Sequence, residues 1–154
     1  MRERVELKKI SLGERDQLIP YLLLADESEE MVKEYLDEGD LYAVYIEDQI
    51  AGVALFIEDS SSIVELKNIA LTPNWRGRGI GREIIQSLFN LYRGKYRKMI
   101  VGTANSSIDN IAFYQKCGFR ITSIRKDFFR QYPEPIFEDG IQALDMIMFE
   151  KELS

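Results

Sequence analysis

Arg76-Gly77-Arg78-Gly79-Ile80-Gly81 directly follows a strand-like run and directly precedes a helix-like one. Glycine tolerates positive φ and carries no Cβ, so a loop punctuated this way can turn successive backbone N–H groups toward a ligand at close range. The helix that follows adds its own unpaired N–H groups and the positive end of its dipole. Such a corner selects for phosphate. Two familiar phosphate motifs fail on spacing. A dinucleotide fingerprint would need its third glycine at position 82, which is Arg82. A P-loop would need a glycine five residues before Gly94-Lys95, where Phe89 stands. What remains is R-x-x-G-x-G, carried by Arg76, Gly79 and Gly81.

Working outward, Ile63 to Leu71 reads as a strand ended by Thr72-Pro73-Asn74, and Gly79 to Arg93 as a helix with Ile80, Ile84, Ile85, Leu88 and Leu91 on one face. Met99 to Ala104 is a strand. Ile108 to Lys116 is a helix with Gly118 at its C-cap. Phe119 to Ile124 and Ile141 to Phe149 are strands, and Tyr132-Pro133-Glu134-Pro135 between them is a loop held extended by its prolines. Upstream, Leu41 to Ile46 and Ile50 to Ile57 form a hairpin across Glu47-Asp48-Gln49. Val5 to Ile10 alternates as a first strand. Ser11 to Ala25 reads as a helix that Pro20 breaks or delays, and Ser28 to Leu36 as a second helix with Ser28 at its N-cap. The order is β-α-α-β-β-β-α-β-α-β-β. This is an α+β arrangement, a mixed, mostly antiparallel twisted sheet flanked by helices. Its one β-α-β crossover, Ile63 to Ala104, makes the flanking strands parallel if they share the sheet.

The bulk properties narrow the functions. The 154 residues suit one domain spanning 1–154 with a real core. A net charge of −6 disfavours nucleic acid and fits a cationic substrate. No apolar run has membrane-spanning length, and Met-Arg-Glu-Arg-Val-Glu lacks a signal h-region, so a cytoplasmic protein is expected. Cys117 is the only cysteine and there is no histidine. Ser–His and Cys–His catalysis and cysteine- or histidine-rich metal sites are therefore excluded, and no metal is expected. Any general acid or base must be Glu, Asp, Tyr, Lys, Cys or water.

Taken together, four segments resemble the GNAT acetyltransferase superfamily. They are the glycine loop, the strand Val64 to Pro73 before it, the run Asn105 to Phe119 (similar to N-x-x-A-x-x-F/L-Y-x-K-x-G-F), and the closing strand pair. The resemblance covers most of the chain from Leu41 onward. It implies a GNAT-type sheet with acetyl-CoA as cosubstrate. By that resemblance the diphosphate is held by Arg76, Gly77, Arg78, Gly79, Ile80, Gly81 and Arg82. The pantetheine arm lies along Ile69, Ala70 and Leu71, and Asn105, Asn110 and Lys116 complete the coenzyme contacts. The family's usual asparagine, seven residues before the tyrosine, is here Ser107. Tyr114 would assist departure of the CoA sulfur, and Glu65 would take the proton from the amine, directly or through water. Glu65 as a structural carboxylate and Tyr114 as a core residue are the competing readings. Cys117 reads as a buried helix-end residue and Trp75 as a packing anchor.

The acceptor site is expected from the first two helices and from Phe128 to Asp139, where aromatics interleave with acids. Tyr132, Glu134 and Glu138 are the candidate amine contacts. The function expected is N-acetyl transfer to a primary amine of a small molecule or peptide by direct attack. The alternatives are a non-catalytic acyl-CoA sensor of the same fold and use of another acyl-CoA. A monomer and a homodimer both remain open.

Overall fold

The computed structural model describes residues 5–26 and 28–153. The first residues of the N-terminal hexapeptide lie outside that set, and with them the reading of a missing leader. The chain packs as two compact units. One comprises the described residues up to Glu58 together with Leu66–Ser87; the other comprises Asp59–Glu65 together with those from Leu88 onward.

In the first unit β1 (Val5–Lys9) pairs antiparallel with β2 (Asp40–Ile46), which pairs antiparallel with β3 (Gln49–Ser60), and β4 (Ile63–Leu71) lies next to β3. The β2–β3 turn is tighter than expected. Glu47 and Asp48 both adopt positive φ, 52° and 66°, and Gln49 already belongs to the strand. Two left-handed residues give the type I′ geometry that matches strand twist. A bulge between Val44 and Tyr45 shifts the register opposite Gly52.

The first expected helix is a 3-10 segment, Leu12–Leu18, followed by a short α1 (Ile19–Leu22) with Pro20 in its first turn. Proline has no N–H to give and a φ already set for helix, so the α-helical stretch begins around it. In α2 (Glu29–Tyr35) Ser28 is the N-cap, its hydroxyl accepting from the Met31 N–H at 3.3 Å. The core here gathers Leu18, Leu22, Val32, Tyr35, Leu36, Leu41, Ala43, Val53, Leu55 and Ala70.

Arg15 closes this core from inside. It is only 3% exposed, and its guanidinium donates to the carbonyls of Leu36, Glu38 and Gly39 at 2.9, 2.8 and 2.7 Å. Leu36 is the C-cap of α2, and Glu38 and Gly39 lie in the turn that follows, so the guanidinium pins the helix end to the start of β2. Arg15→Ala strands those carbonyls, and the expected cost is about 2 kcal/mol or more, roughly 4–8 °C in Tm for a chain of this size. Thermal unfolding of the variant checks this.

In the second unit the strand order is β5 (Lys98–Ala104), β9 (Met146–Glu152), β6 (Arg120–Arg125), both pairs antiparallel. The carbonyl of Ser62 accepts the N–H groups of Arg97 and Lys98 at the start of β5. Gly102 on β5 lies under two thioethers: a Cβ there would come within 2.4 Å of the Met146 sulfur and 2.8 Å of the Met148 sulfur.

The expected strand Ile141–Phe149 is two elements. Ile141–Gln142 is β8, paired with β7 (Phe137–Glu138), and the long strand starts only at Met146. Asp139 and Gly140, with φ of 53° and 78°, form the two-residue turn between them. Asp-Gly is a strong hairpin signal, and the apolar run after it hid it.

α3 (Ile80–Tyr92) and α4 (Ile108–Lys116) complete the helices. On α3 the buried stripe is Ile80, Ile84, Ile85, Leu88, Phe89 and Tyr92. Leu91, expected on that face, is 36% exposed. The i, i+4 ladder from Ile84 and Ile85 runs to Leu88, Phe89 and Tyr92 and passes it by. Among the described residues no helix is long and apolar enough to cross a membrane.

Candidate active site

The glycine corner has the backbone its sequence demands. Gly77 and Gly79 adopt φ of +74° and +77°, and a Cβ on either would meet nothing within 4 Å. Their glycine character therefore serves the backbone turn, and no other part of the described protein crowds them. Gly81 is different: it is helical, in the first turn of α3. The amides of Ile80, Gly81 and Arg82 open that helix and have no intrahelical acceptors. The arginines differ too. Arg76 turns back, its Nε donating to the Leu71 carbonyl at 3.0 Å. Arg78 lies over the Trp75 ring at 4.8 Å from its centroid, and Trp75 is buried as the anchor of the corner. Arg82 is exposed on the first turn of α3.

β4 alternates strictly. Val64, Leu66, Asn68 and Ala70 are buried, while Ile63, Glu65, Lys67, Ile69 and Leu71 are half-buried on the other face. Glu65 thus shares a face with Ile69 and Leu71 by the period of two. Asn68, which the sequence reading passed over, ties β4 to the first helices. Its Nδ2 donates to the Leu22 carbonyl at 3.0 Å and to the Tyr35 hydroxyl at 2.9 Å. Tyr35 donates in turn to Asp26 Oδ2 at 2.9 Å. Burial pushes the Tyr35 phenol well above its ordinary value, which the Asn68 hydrogen bond opposes. Close behind β4 stands Gly52, whose added Cβ would come within 2.0 Å of the Ala70 carbonyl oxygen.

Tyr114 sits on α4 and is 6% exposed. Its ring meets Phe113, Phe119 and Phe149 at centroid distances of 5.4, 5.7 and 5.6 Å. The helix is stopped just beyond it by a Schellman motif. Gly118, at φ +108°, donates to the Gln115 carbonyl, and Phe119 donates to the Tyr114 carbonyl at 3.0 Å. The Y-x-K-x-G-F spelling is therefore a device that locks the tyrosine backbone. Burial, helped by neighbouring Cys117, raises the phenol well above an ordinary tyrosine, so it is protonated at neutral pH. Among the described residues its hydroxyl has no hydrogen-bond partner. Cys117 is buried at the helix end, as expected.

The start of α4 is tied to the chain leading into β9. Both halves of the Asn105 amide take part: Oδ1 accepts from the Leu144 and Asp145 N–H groups at 2.8 and 3.0 Å, and Nδ2 donates to the Gln142 carbonyl at 3.1 Å. Asn110 is exposed and donates to Thr103 Oγ1 at 3.4 Å, and Lys116 is exposed in the last turn. Ser107 donates to Glu138 Oε1 at 2.6 Å and Ser106 to the same oxygen at 3.3 Å. Glu138 is thus brought to the helix that bears Tyr114. The Tyr132 ring lies 5.5 Å from that of Phe129, tilted by 41°, next to the Phe128–Phe129 pair, and Glu134 is exposed. Among the described residues no group of His, Cys, Asp or Glu is placed to hold a metal ion.

The acetyltransferase (GNAT) domain family matches residues 37–121. A protein of Bacillus subtilis (strain 168), the uncharacterized N-acetyltransferase YvbK, is 41% identical over 143 residues, 90% of this chain and 92% of that protein. The crystal structure of a GNAT family acetyltransferase from Elizabethkingia anophelis with acetyl-CoA bound superposes with a TM-score of 0.90 at 37% identity, covering 96% of this chain and 97% of that one. A Bacillus subtilis acetyltransferase in complex with CoA gives 0.85 at 37% identity over 99% and 100%. The α+β fold read from the sequence is the fold of these proteins, and the chain belongs to the GNAT family of N-acetyltransferases.

Proposed function

We propose that the chain moves the acetyl group of acetyl-CoA to a primary amine by direct attack within a ternary complex. The observation that carries this reading is Tyr114: a buried, protonated phenol on a locked helix end, its hydroxyl without a hydrogen-bond partner among the described residues. The amides at positions 77–82 take the diphosphate, with Arg82 as the available cation. The backbone of Ile69–Leu71 pairs with the pantetheine amides in the manner of an added strand. The coenzyme-bound relatives support this reading, since they are 37% identical and cover nearly the whole chain.

In the step itself the amine nitrogen attacks the thioester carbonyl carbon, the C–S bond breaks, and the sulfur leaves as thiolate. An ordinary phenol is already about 1.5 pK units weaker as an acid than a thiol, roughly 2 kcal/mol uphill for full transfer. Burial widens that gap for Tyr114. The phenol therefore donates a hydrogen bond to the developing thiolate, and the sulfur takes its proton afterwards from solvent. The proton shed by the amine goes to Glu65 or to a water beside it. Tyr132, Glu134 and Glu138 are the acceptor contacts.

Release of free CoA thiol with a panel of primary amines tests the whole scheme. Tight binding of acetyl-CoA with no transfer to any amine would instead make the chain a sensor. Glu65→Gln is expected to lower kcat/KM about tenfold at neutral pH. That loss should shrink as the pH approaches about 10, where an alkyl amine loses its proton unaided. A loss independent of pH would make Glu65 structural.

A further inference from the structure

The acceptor can be specified further from the start of α4. Two half-buried carboxylates have lysine partners: Asp40 pairs with Lys9 at 3.0 Å and Glu150 with Lys98 at 3.1 Å. Glu138 is also half-buried, yet no basic side chain pairs with it among the described residues. One oxygen, Oε1, is held by two serine hydroxyls, and both serines are more than nine-tenths buried, at 0% and 8% exposure. The 2.6 Å bond from Ser107 has the short length of a charge-assisted contact. The α4 dipole offsets only part of the charge. The second oxygen takes no hydrogen bond from the described residues.

Ser107 and Tyr114 are seven residues apart, 20° short of two helical turns, so they share one stripe of α4 about 10 Å apart along the axis. The attacking nitrogen must be neutral and close to the acyl carbon, whereas a nitrogen paired with a carboxylate keeps its proton and its charge. A positive charge bound to Glu138 belongs to a different group of the same molecule.

We infer that Glu138, fixed by Ser106 and Ser107, binds a second ammonium of the acceptor, so that the chain prefers a linear diamine to a monoamine. This rests on the acetyl-transfer reading only for which nitrogen reacts; the binding stands apart from turnover. Ser107 is then a positioning residue for recognition. Where the family pattern has an asparagine, this chain has a hydroxyl that aims an acid.

The test is calorimetry with the CoA-loaded protein, titrated with α,ω-diamines of increasing length and with linear monoamines of equal length. The expected result is at least tenfold tighter binding of the longer diamines. Glu138→Gln keeps an oxygen for the serine hydroxyls but removes the charge, and should erase that ratio with Tm unchanged. Ser107→Ala should reduce it. Asp59→Asn, an exposed acid elsewhere in the same unit, should preserve it. Equal binding of diamines and monoamines by the unsubstituted protein overturns the inference, as does a ratio that survives Glu138→Gln. Diamine preference without acetyl transfer would keep the inference and remove the enzymatic reading. Transfer to monoamines without any preference would do the reverse.

Discussion

Tyr114→Phe is expected to lower kcat about 10–100-fold while leaving KM for acetyl-CoA and the unfolding temperature nearly unchanged. The ring stays among Phe113, Phe119 and Phe149, so packing is preserved. Only the hydroxyl goes, and in the ligand-free protein it bonds to no described residue, so little stability is lost with it. What disappears is a hydrogen bond to a charge that exists only as the C–S bond breaks. Bonds to charged groups contribute about 1.5–3 kcal/mol, and each 1.4 kcal/mol is a factor of ten in rate. An unchanged kcat would remove Tyr114 from the chemistry. The phenol has a second signature at high pH. Its folded value is raised, so the stability linked to it is present below about pH 10, where an unfolded tyrosine begins to ionise. Above that pH the unfolded chain sheds a proton that the folded chain keeps, and stability falls. Denaturant midpoints measured through the alkaline range should therefore drop less steeply for Tyr114→Phe than for the parent.

Gly79→Val is expected to weaken acetyl-CoA binding about 100-fold with only a modest change in Tm. At φ +77° a β-branched residue is an outlier, costing at least about 1–2 kcal/mol, so the corner relaxes to another backbone path. Nothing lies within 4 Å of the added Cβ, so no packing is disturbed by the change. The loss falls on amides that must converge on phosphate; two such charge-assisted bonds are together worth about 3 kcal/mol. Gly39→Ala makes the instructive contrast. There φ is +56° and the added carbon would come within 1.7 Å of the Phe56 carbonyl oxygen. The same kind of substitution should damage folding at Gly39 and coenzyme affinity at Gly79. Calorimetric affinity and thermal melts on both variants separate the two.

What could be read from the sequence shares one property: its cause is local. The corner at 76–81 announces itself because positive φ requires glycine. Tyr114 can be placed because the Schellman stop at Gly118 is spelled within five residues of it. The features that escaped depend on distant partners. Arg15 reaches carbonyls 21 to 24 residues away, and Asn68 bonds across 46 and 33 residues. No spacing rule encodes such contacts, and on a strand Asn68 looks like any polar residue. Asn105 and Ser107 show the same limit inside a well-matched motif. Their positions were legible, but their partners at Glu138 and at 142–145 lie more than thirty residues on. The short hairpin at Asp139-Gly140 was local and still missed, because the apolar alternation continuing past it outweighed a two-residue turn.

The thioethers of Met146 and Met148 seated over Gly102 carry a liability of their own. Sulfoxidation puts a polar oxygen on a side chain packed so closely over Gly102 that one carbon added to that glycine would collide with it. Peroxide should accordingly be felt first at the seam between β5 and β9, where the damaged side chain must swing outward or prise the ladder open. A sulfoxide reductase could restore the seam, so the chain's fate under oxidant would turn on repair as much as on synthesis.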